Sequence, residues 1–245
     1  MKFNNTLFRC SAISNIMTEP KLKADKEAGN LSETTKSYLV DVYVQEKYGR
    51  EQDITSKHMT KGLMVEEDSI TLYSRVKKTF FKKNEERVSN PYIIGTPDLF
   101  TGESIGSAEE IIDIKSSWDI FTFYRARCKD VNSAYWWQMQ GYMALTGATS
   151  ARLAYCLVNT PELLISDEKR KLMYKMNVAT TENDDYIAAC EELDKSMIYD
   201  DIPMAERTFE FVIQRDDEAI QRIYDKVRKA RQFLNLMDEG LGMCF

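Results

Sequence analysis

Histidine and cysteine are scarce in this 245-residue chain, which holds a single histidine, His58, and five cysteines, Cys10, Cys128, Cys156, Cys190 and Cys244. The cysteines are odd in number, far apart and without a C-x-x-C pair, which argues against a zinc ribbon and a disulfide scaffold. Free, mostly buried thiols in a reducing compartment are expected. His58 sits in Ser56-Lys57-His58-Met59, a context that suggests no Ser-His or Cys-His catalysis. Long hydrophobic runs are missing too. None approaches the roughly 20 residues needed to span a bilayer, and residues 1–17 hold no continuous apolar stretch, so neither a membrane anchor nor a signal peptide is expected. A cytoplasmic protein with no membrane partner is the resulting expectation. Basic charge is in deficit: 33 Lys and Arg stand against 39 Asp and Glu, a net charge of -6. Phosphate contacts need local Lys and Arg, so the overall balance points away from non-specific nucleic-acid binding.

What is present suits a folded domain. Hydrophobic residues make up 43% and aromatics 11%, enough for a sizeable core, and the length fits one domain covering residues 1–245. Residues 5–18 form a short ordered opening segment and residues 19–31, with Pro20 and Gly29, a loop. Ser32-Glu33-Thr34-Thr35 starts a helix that Gly49 closes, and a second helix is expected over residues 56–76. Short β-branched and aromatic runs punctuated by Asn84, Asn90-Pro91 and Thr101-Gly102 suggest a β-meander over residues 78–116. A helix over 131–146, a strand over 151–159, a further strand within 162–178 and an acidic helix over 182–197 follow. A strand over 209–213 and a final helix over 216–238 complete the chain, the last with Ile220, Ile223, Val227, Ala230, Leu234 and Met237 at helical spacing. This order predicts an α/β fold with a central mixed β-sheet flanked by helices.

One segment stands out chemically. Ile93-Ile94-Gly95-Thr96-Pro97-Asp98 is an apolar strand that turns and presents an acid, and Glu110-Ile111-Ile112-Asp113-Ile114-Lys115 is an apolar strand interrupted by an acid and a lysine. A buried carboxylate costs several kcal/mol unless it is paired or binds a metal. Asp113 and Lys115 are two apart, so on a strand they share a face. If Asp98 joins them, two carboxylates and an ammonium converge in a way that suits a hard divalent cation beside a phosphate or water. The acid-x-Lys spacing recurs at Glu19-Pro20-Lys21 and Asp167-Glu168-Lys169, but only the central copy lies in an apolar strand. An edge strand with a surface ion pair is the plainer alternative. Downstream, Ser133-Ala134-Tyr135-Trp136-Trp137-Gln138-Met139-Gln140-Gly141-Tyr142-Met143 puts Gln138 and Tyr142 on one helical face, while Trp136 and Trp137 are expected to pack in the core. Upstream, Glu66-Glu67-Asp68 is an acidic cluster whose ordinary explanation is a solvated helix face.

Taken together, Gly95-x-x-Asp98, Asp113-x-Lys115, Gln138-x-x-x-Tyr142 and the upstream Glu66 resemble the PD-(D/E)XK nucleases. The likeness is greatest to the phage lambda exonuclease and YqaJ-type viral recombinase branch, through SAYWWQMQGYMALTG and GTPDLF. FRCSAISNIMT is similar to that branch's amino-terminal segment. The resemblance covers about residues 7–160. It implies a restriction-endonuclease-like core in which Asp98, Asp113 and the backbone carbonyl of Ile114 bind Mg²⁺, with Mn²⁺ as a substitute. It further implies that Glu66, or Glu67 if the helix is rotated, completes the site, that Lys115 orients water and stabilises phosphate charge, and that Gln138 and Tyr142 support it. Ser11 matches a serine that holds the DNA 5′-phosphate, with Arg9 and Thr96 beside it. Arg125, Arg127, Lys82 and Lys83 are candidates for further phosphate contacts. The central acid is Asp rather than Glu, which the superfamily allows, and the stretch after Lys115 does not align cleanly.

The activity implied is a Mg²⁺-dependent exonuclease on double-stranded DNA ends, 5′-to-3′, feeding a single-strand annealing protein in phage-type recombination, in the host cytoplasm. A ring-shaped trimer is implied as well. An endonuclease of restriction, repair or defence type and a catalytically inactive DNA-end-binding protein are the alternatives. Iron–sulfur relatives need four cysteines around the core, so no Fe–S cluster is expected. The acidity is compatible with this assignment, because it is local. From Glu182 to Asp201 there are eight acids and one base, leaving 32 bases against 31 acids elsewhere. Residues 75–83 hold five bases and no acid, and Arg125, Arg127 and Lys129 form a second cluster. An acidic lobe turned away from substrate and local basic strips along the duplex are therefore expected.

Overall fold

The structure, a computed structural model, describes residues 2–52 and 56–240; Cys244 lies outside the described residues. A two-residue strand, β1 (Phe8–Arg9), leads through a 3-10 turn at Cys10–Ala12 into helix α1 (Ser14–Met17). Within the expected loop of residues 19–31 the chain forms a short helix, α2 (Lys23–Glu27). Helix α3 (Glu33–Tyr48) begins where the Ser32 side chain accepts the Thr35 N–H and ends at Gly49, whose φ of 63° is the left-handed cap that glycine adopts without a Cβ penalty.

The helix expected over 56–76 is two helices, α4 (Lys57–Met64) and α5 (Glu66–Lys77), broken at Val65. The Val65 side chain is buried beside Ile70, Ile112 and Ile114, so tertiary packing overrides local continuity. The break makes Glu66 the first residue of α5.

The expected meander is likewise divided. Strands β2 (Val88–Ser89) and β3 (Ile93–Gly95) join β1 in a three-stranded mixed sheet ordered β1-β3-β2. Strands β4 (Leu99–Thr101) and β5 (Glu110–Ser116) belong to a four-stranded mixed sheet, β4-β5-β6-β7, completed by β6 (Ser150–Cys156) and β7 (Thr208–Gln214). Pro97, which has no N–H to donate to a ladder, lies between the two sheets. In the larger sheet β4 runs antiparallel to β5, β5 parallel to β6, and β6 antiparallel to β7. Thr79-Phe80-Phe81 is not a strand.

Helices cover both faces of this sheet, giving the mixed α/β architecture expected. Ile111 faces a core formed with α1, α3, α7 (Ser133–Thr146) and α10 (Asp217–Asp238), while Ile112 and Ile114 face a second core under α5. This is the period-two alternation of a strand buried on both sides. Trp136 and Trp137 are partly buried against the first core. After β5 a helix absent from the sequence-based expectation, α6 (Ile120–Arg127), is held by a capping box between Asp119 and Thr122. Residues 162–178, expected to hold a strand, instead form helix α8 (Glu162–Met176). Leu164 and Ile165 pack on Trp118 and on Met197 of α9 (Asp184–Met197), and the rest of α8 faces largely outward.

Residues 3–6 are fastened to α10. Arg231 of α10 donates to the Thr6 carbonyl through Nε at 3.0 Å and Nη2 at 2.8 Å. Asn235 accepts the Phe3 N–H at 3.1 Å and donates to Asn4 at 2.9 Å. Among the described residues no helix is long and apolar enough to cross a membrane. Cys10 and Cys156 are buried free thiols, Cys190 is half-buried and Cys128 is exposed, so burial is less general than expected.

Candidate active site

Strand β5 carries the centre of the site. Asp113 is 1% exposed, and Lys115 two residues on shares its face, with Nζ 2.7 Å from Asp113 Oδ2. The β4–β5 ladder pairs Leu99 with Ile112, so continuing it by one residue sets Asp98 across from Asp113 on the same face. Asp98 Oδ2 accepts the Ile114 N–H at 2.7 Å. Helix α7 closes over this face. Gln138 Nε2 donates to Asp113 Oδ1 at 3.2 Å and to the Tyr142 hydroxyl at 3.0 Å, and its Oε1 lies 3.5 Å from Lys115 Nζ. Asp98, Asp113, Lys115, Gln138 and Tyr142 are thus brought together as their spacing suggested.

The electrostatics follow from two carboxylates sharing a poorly solvated pocket. Burial first, and the neighbouring Asp113 second, push the Asp98 carboxyl up to about 8, against the opposing pull of the Ile114 N–H and Lys115. Burial alone works against a charge on Lys115, but Asp113 and then Asp98 hold its pKa above the ordinary lysine range, so it stays an ammonium. Burial, and next Asp113, keep the Tyr142 phenol neutral.

Glu66 approaches from the other side of the sheet, at the first turn of α5, and is engaged by Lys83 Nζ at 2.7 Å. Glu67 stands 3.8 Å from the same ammonium and is much more exposed. Glu66 raises the Asp98 pKa slightly, which marks it as a neighbour, yet no group of three His, Cys, Asp or Glu side chains converges on one point among the described residues.

Hard oxygen donors with spare capacity are nevertheless present. Asp113 Oδ2 lies 2.7 Å from the Lys115 ammonium and has no second partner, so this carboxylate oxygen keeps lone-pair capacity for an ion. Mg²⁺ is commonly held by one or two carboxylates, with waters and substrate phosphate completing its shell. Asp98, Asp113 and the Ile114 carbonyl fit that requirement, with Glu66 in reserve on Lys83.

The amino-terminal candidates lie on and after the small sheet, where Arg9 lines a cavity with Tyr38, Asp41 and Arg87 and not with the carboxylates. β1 pairs parallel with β3, Arg9 against Ile94, so Ser11 and Thr96 leave the sheet at the same end. Arg9 and Ser11 are exposed and Thr96 is half-buried. Lys82 is exposed on the loop after α5. Arg125 and Arg127 occupy the exposed last turn of α6 and are not joined to the carboxylates.

Two participants escaped the sequence. The Tyr135 ring lies under Lys115, its centroid 4.5 Å from Nζ, a cation–π contact whose one sign in the sequence is the 135, 138, 142 spacing on one helical face. Asn84, read only as punctuation, is buried and grips the acid-bearing turn: its N–H donates to the Asp98 carbonyl at 2.7 Å and its Nδ2 to the Pro97 carbonyl at 2.9 Å. Nothing local marks such a long-range clasp.

No protein-family model matches the chain, and no curated protein matches it. Solved structures do. A phage-related exonuclease from Haemophilus somnus 129PT superposes with a TM-score of 0.72 at 29% identity, over 97% of each chain. The alkaline exonuclease LHK-Exo from Laribacter hongkongensis matches with a TM-score of 0.63 at 16% identity, over 97% of this chain and 92% of its own. LHK-Exo in complex with dAMP gives 0.61 at 17% identity, over 96% and 91%. The chain therefore shares the fold of phage-related and alkaline exonucleases.

Proposed function

We propose that this protein is a Mg²⁺-dependent DNA exonuclease of the PD-(D/E)XK type, acting at duplex ends. The observation that carries the proposal is the Asp98–Asp113–Lys115 cluster. It consists of two carboxylates and an ammonium on one face of the larger sheet, with Asp113 Oδ2 held by that ammonium alone. Full-length likeness at 29% identity to a phage-related exonuclease supports the choice of reaction. LHK-Exo with dAMP offers a deoxynucleotide on the same fold, which supports DNA as the substrate class.

In this proposal Asp98, Asp113 and the Ile114 carbonyl hold the ion, and Glu66 joins them directly or through water. When bound, Mg²⁺ supplies Lewis-acid polarisation of the phosphodiester and lowers the pKa of water. The remaining work belongs to the chain. Lys115, held as an ammonium, donates to a phosphate oxygen or to a lone pair of the attacking water rather than removing its proton. Gln138 and Tyr135 fix the lysine from two sides, and Tyr142 fixes Gln138. Ser11, Arg9 and Thr96, at one end of the small sheet, receive the 5′-phosphate of the terminal nucleotide, which gives 5′-to-3′ polarity. The single strand left behind would suit an annealing partner in recombination, and a ring of three subunits would suit sustained passage along the duplex.

The test is degradation of linear duplex carrying a 5′-phosphate, with Mg²⁺, against closed circular duplex and against linear duplex with a 5′-hydroxyl. Loss of the linear, phosphorylated substrate alone is expected. Asp113→Ala should bring the rate to background, and Lys115→Ala should lower it by about 10²–10³-fold. Cutting of closed circles would move the assignment to an endonuclease. Metal-dependent binding of ends without any cleavage would move it to an end-binding protein.

A further inference from the structure

The loop between α5 and β2 presents an aromatic ring to solvent at a place where the fold invests in holding it there. Phe80 is 87% exposed, the highest value among the large hydrophobic residues described. Leaving such a side chain in water forgoes about 1.5–3 kcal/mol of burial. The loop around it is anchored. Lys78 turns the chain with a left-handed φ of 54°. Next to Phe80, Phe81 packs on Tyr73 with ring centroids 5.4 Å apart, and its N–H donates to Ser74 Oγ at 3.3 Å. Four residues beyond Phe80, Asn84 is fastened to the Pro97 and Asp98 carbonyls.

The surroundings are cationic. Residues 75–83 contain five bases and no acid. Lys77 is committed to Glu210 and Lys83 to Glu66, whereas Arg75, Lys78 and Lys82 are exposed and have no ion-pair partner among the described residues. Phe80 and Phe81 line an open groove of about 490 Å³ with Arg75 and Lys82, and with Glu67 and Glu85 among its other lining residues. The groove reaches the first turn of α5, because Lys83 lines it while its Nζ contacts Glu66, a neighbour of Asp98.

A planar apolar face with the unpaired cations Arg75 and Lys82 in the same groove matches a ligand with a flat aromatic body and an anionic backbone. We infer that Phe80 is a stacking platform for an unpaired base of single-stranded DNA next to the cleaved phosphate, with Arg75, Lys78 and Lys82 contacting the backbone. The inference rests on the nuclease assignment for its choice of polymer. Base–aromatic stacking is indifferent to sequence, since every base offers a π-face, and this suits an enzyme that must process any end.

The probe is a single-stranded oligodeoxynucleotide carrying one 2-aminopurine, mixed with full-length protein in EDTA so that nothing is cut. Wild type should bind it and quench the 2-aminopurine. Phe80→Ala should weaken binding about tenfold and abolish the quench without changing the salt dependence. Phe80→Trp should restore both. Lys82→Ala should keep the quench and reduce the slope of log affinity against log salt by about 0.7. Unchanged affinity and quenching in Phe80→Ala, or no binding by wild type, would overturn the platform. A wild type that digests linear duplex while Phe80→Ala binds normally would remove the platform alone. A wild type that neither digests duplex nor binds the oligonucleotide would remove the nuclease assignment with it.

Discussion

Gln138 Nε2 donates to Asp113 Oδ1 at 3.2 Å, so a helix side chain fixes the orientation of the most buried carboxylate on the central strand. The same amide nitrogen reaches Tyr142, and the amide oxygen faces Lys115. One amide therefore sets the positions of an acid, a phenol and an ammonium.

Replacing Gln138 by Leu keeps the volume and removes all three contacts. Groups that orient metal-binding residues typically contribute 10–100-fold to activity. Single-turnover cleavage of linear duplex should slow by about that factor, in kcat rather than KM, with folding intact by circular dichroism. A rate within twofold of wild type would show that Gln138 is only packing.

If Asp98 holds Mg²⁺ as proposed, the affinity for the ion should depend on pH. With its carboxyl pushed up to about 8, the metal-free site holds a proton at neutral pH that the ion must displace. Calorimetric titration should show affinity tightening as pH rises and levelling above about 8, with proton release that disappears in Asp98→Asn. Affinity that is flat between pH 6.5 and 9 would contradict this.

Gly95 is where the backbone passes under the Tyr142 ring. A Cβ there would lie 2.6 Å from Tyr142 Cε1 and 3.1 Å from Cys10 Sγ, both buried groups with little room to yield. Gly95→Ala should cost about 1–3 kcal/mol in urea denaturation and lower activity by moving Tyr142 off Gln138. Adding Tyr142→Leu should return much of the stability and none of the activity, a non-additive pair that marks direct contact.

Lys61 is 0% exposed, and its ammonium donates to the Trp118 carbonyl at 2.7 Å, tying α4 to the segment just after Lys115. Burial lowers its pKa to about 8, with Asp119 partly opposing. In the unfolded chain a lysine titrates near 10.4. Between those values the unfolded state binds a proton that the folded state has released, so stability should rise with pH from about 8. Lys61→Met should remove that rise, which denaturation at pH 7.5 and 9.5 would detect as a smaller difference than in wild type.

The parts legible in the sequence were those where one residue contradicts its surroundings. Asp113 and Lys115 stand in an apolar strand, and Gln138 and Tyr142 recur on one helical face; each pattern is weak by itself, and their combination resembles a known nuclease motif set. Ser32 and Gly49 bracket α3 through their own backbone chemistry. Illegible parts depend on distant contacts. The break at Val65 comes from packing on β5, and α8 has so few buried apolar positions that its period is hidden among charges. Glu66 and Lys83 are 17 positions apart, and no local rule pairs them. Tyr135 shares the helical face of Gln138 and Tyr142, but its contact with Lys115 depends on how α7 packs on β5, which periodicity does not give.

The clasp of Arg231 and Asn235 on Thr6 and Phe3 bears on how the molecule is made. Synthesis delivers Arg9 and Ser11 early, yet the residues that fasten the preceding turn lie in the last helix, with Phe3 and Asn235 separated by 232 positions. Contacts so remote in sequence form late. During synthesis the segment of Arg9 and Ser11 would stay incompletely anchored until α10 is made. A chain cut short before α10 would carry Asp98, Asp113 and Lys115 while leaving the segment of Arg9 and Ser11 unfastened.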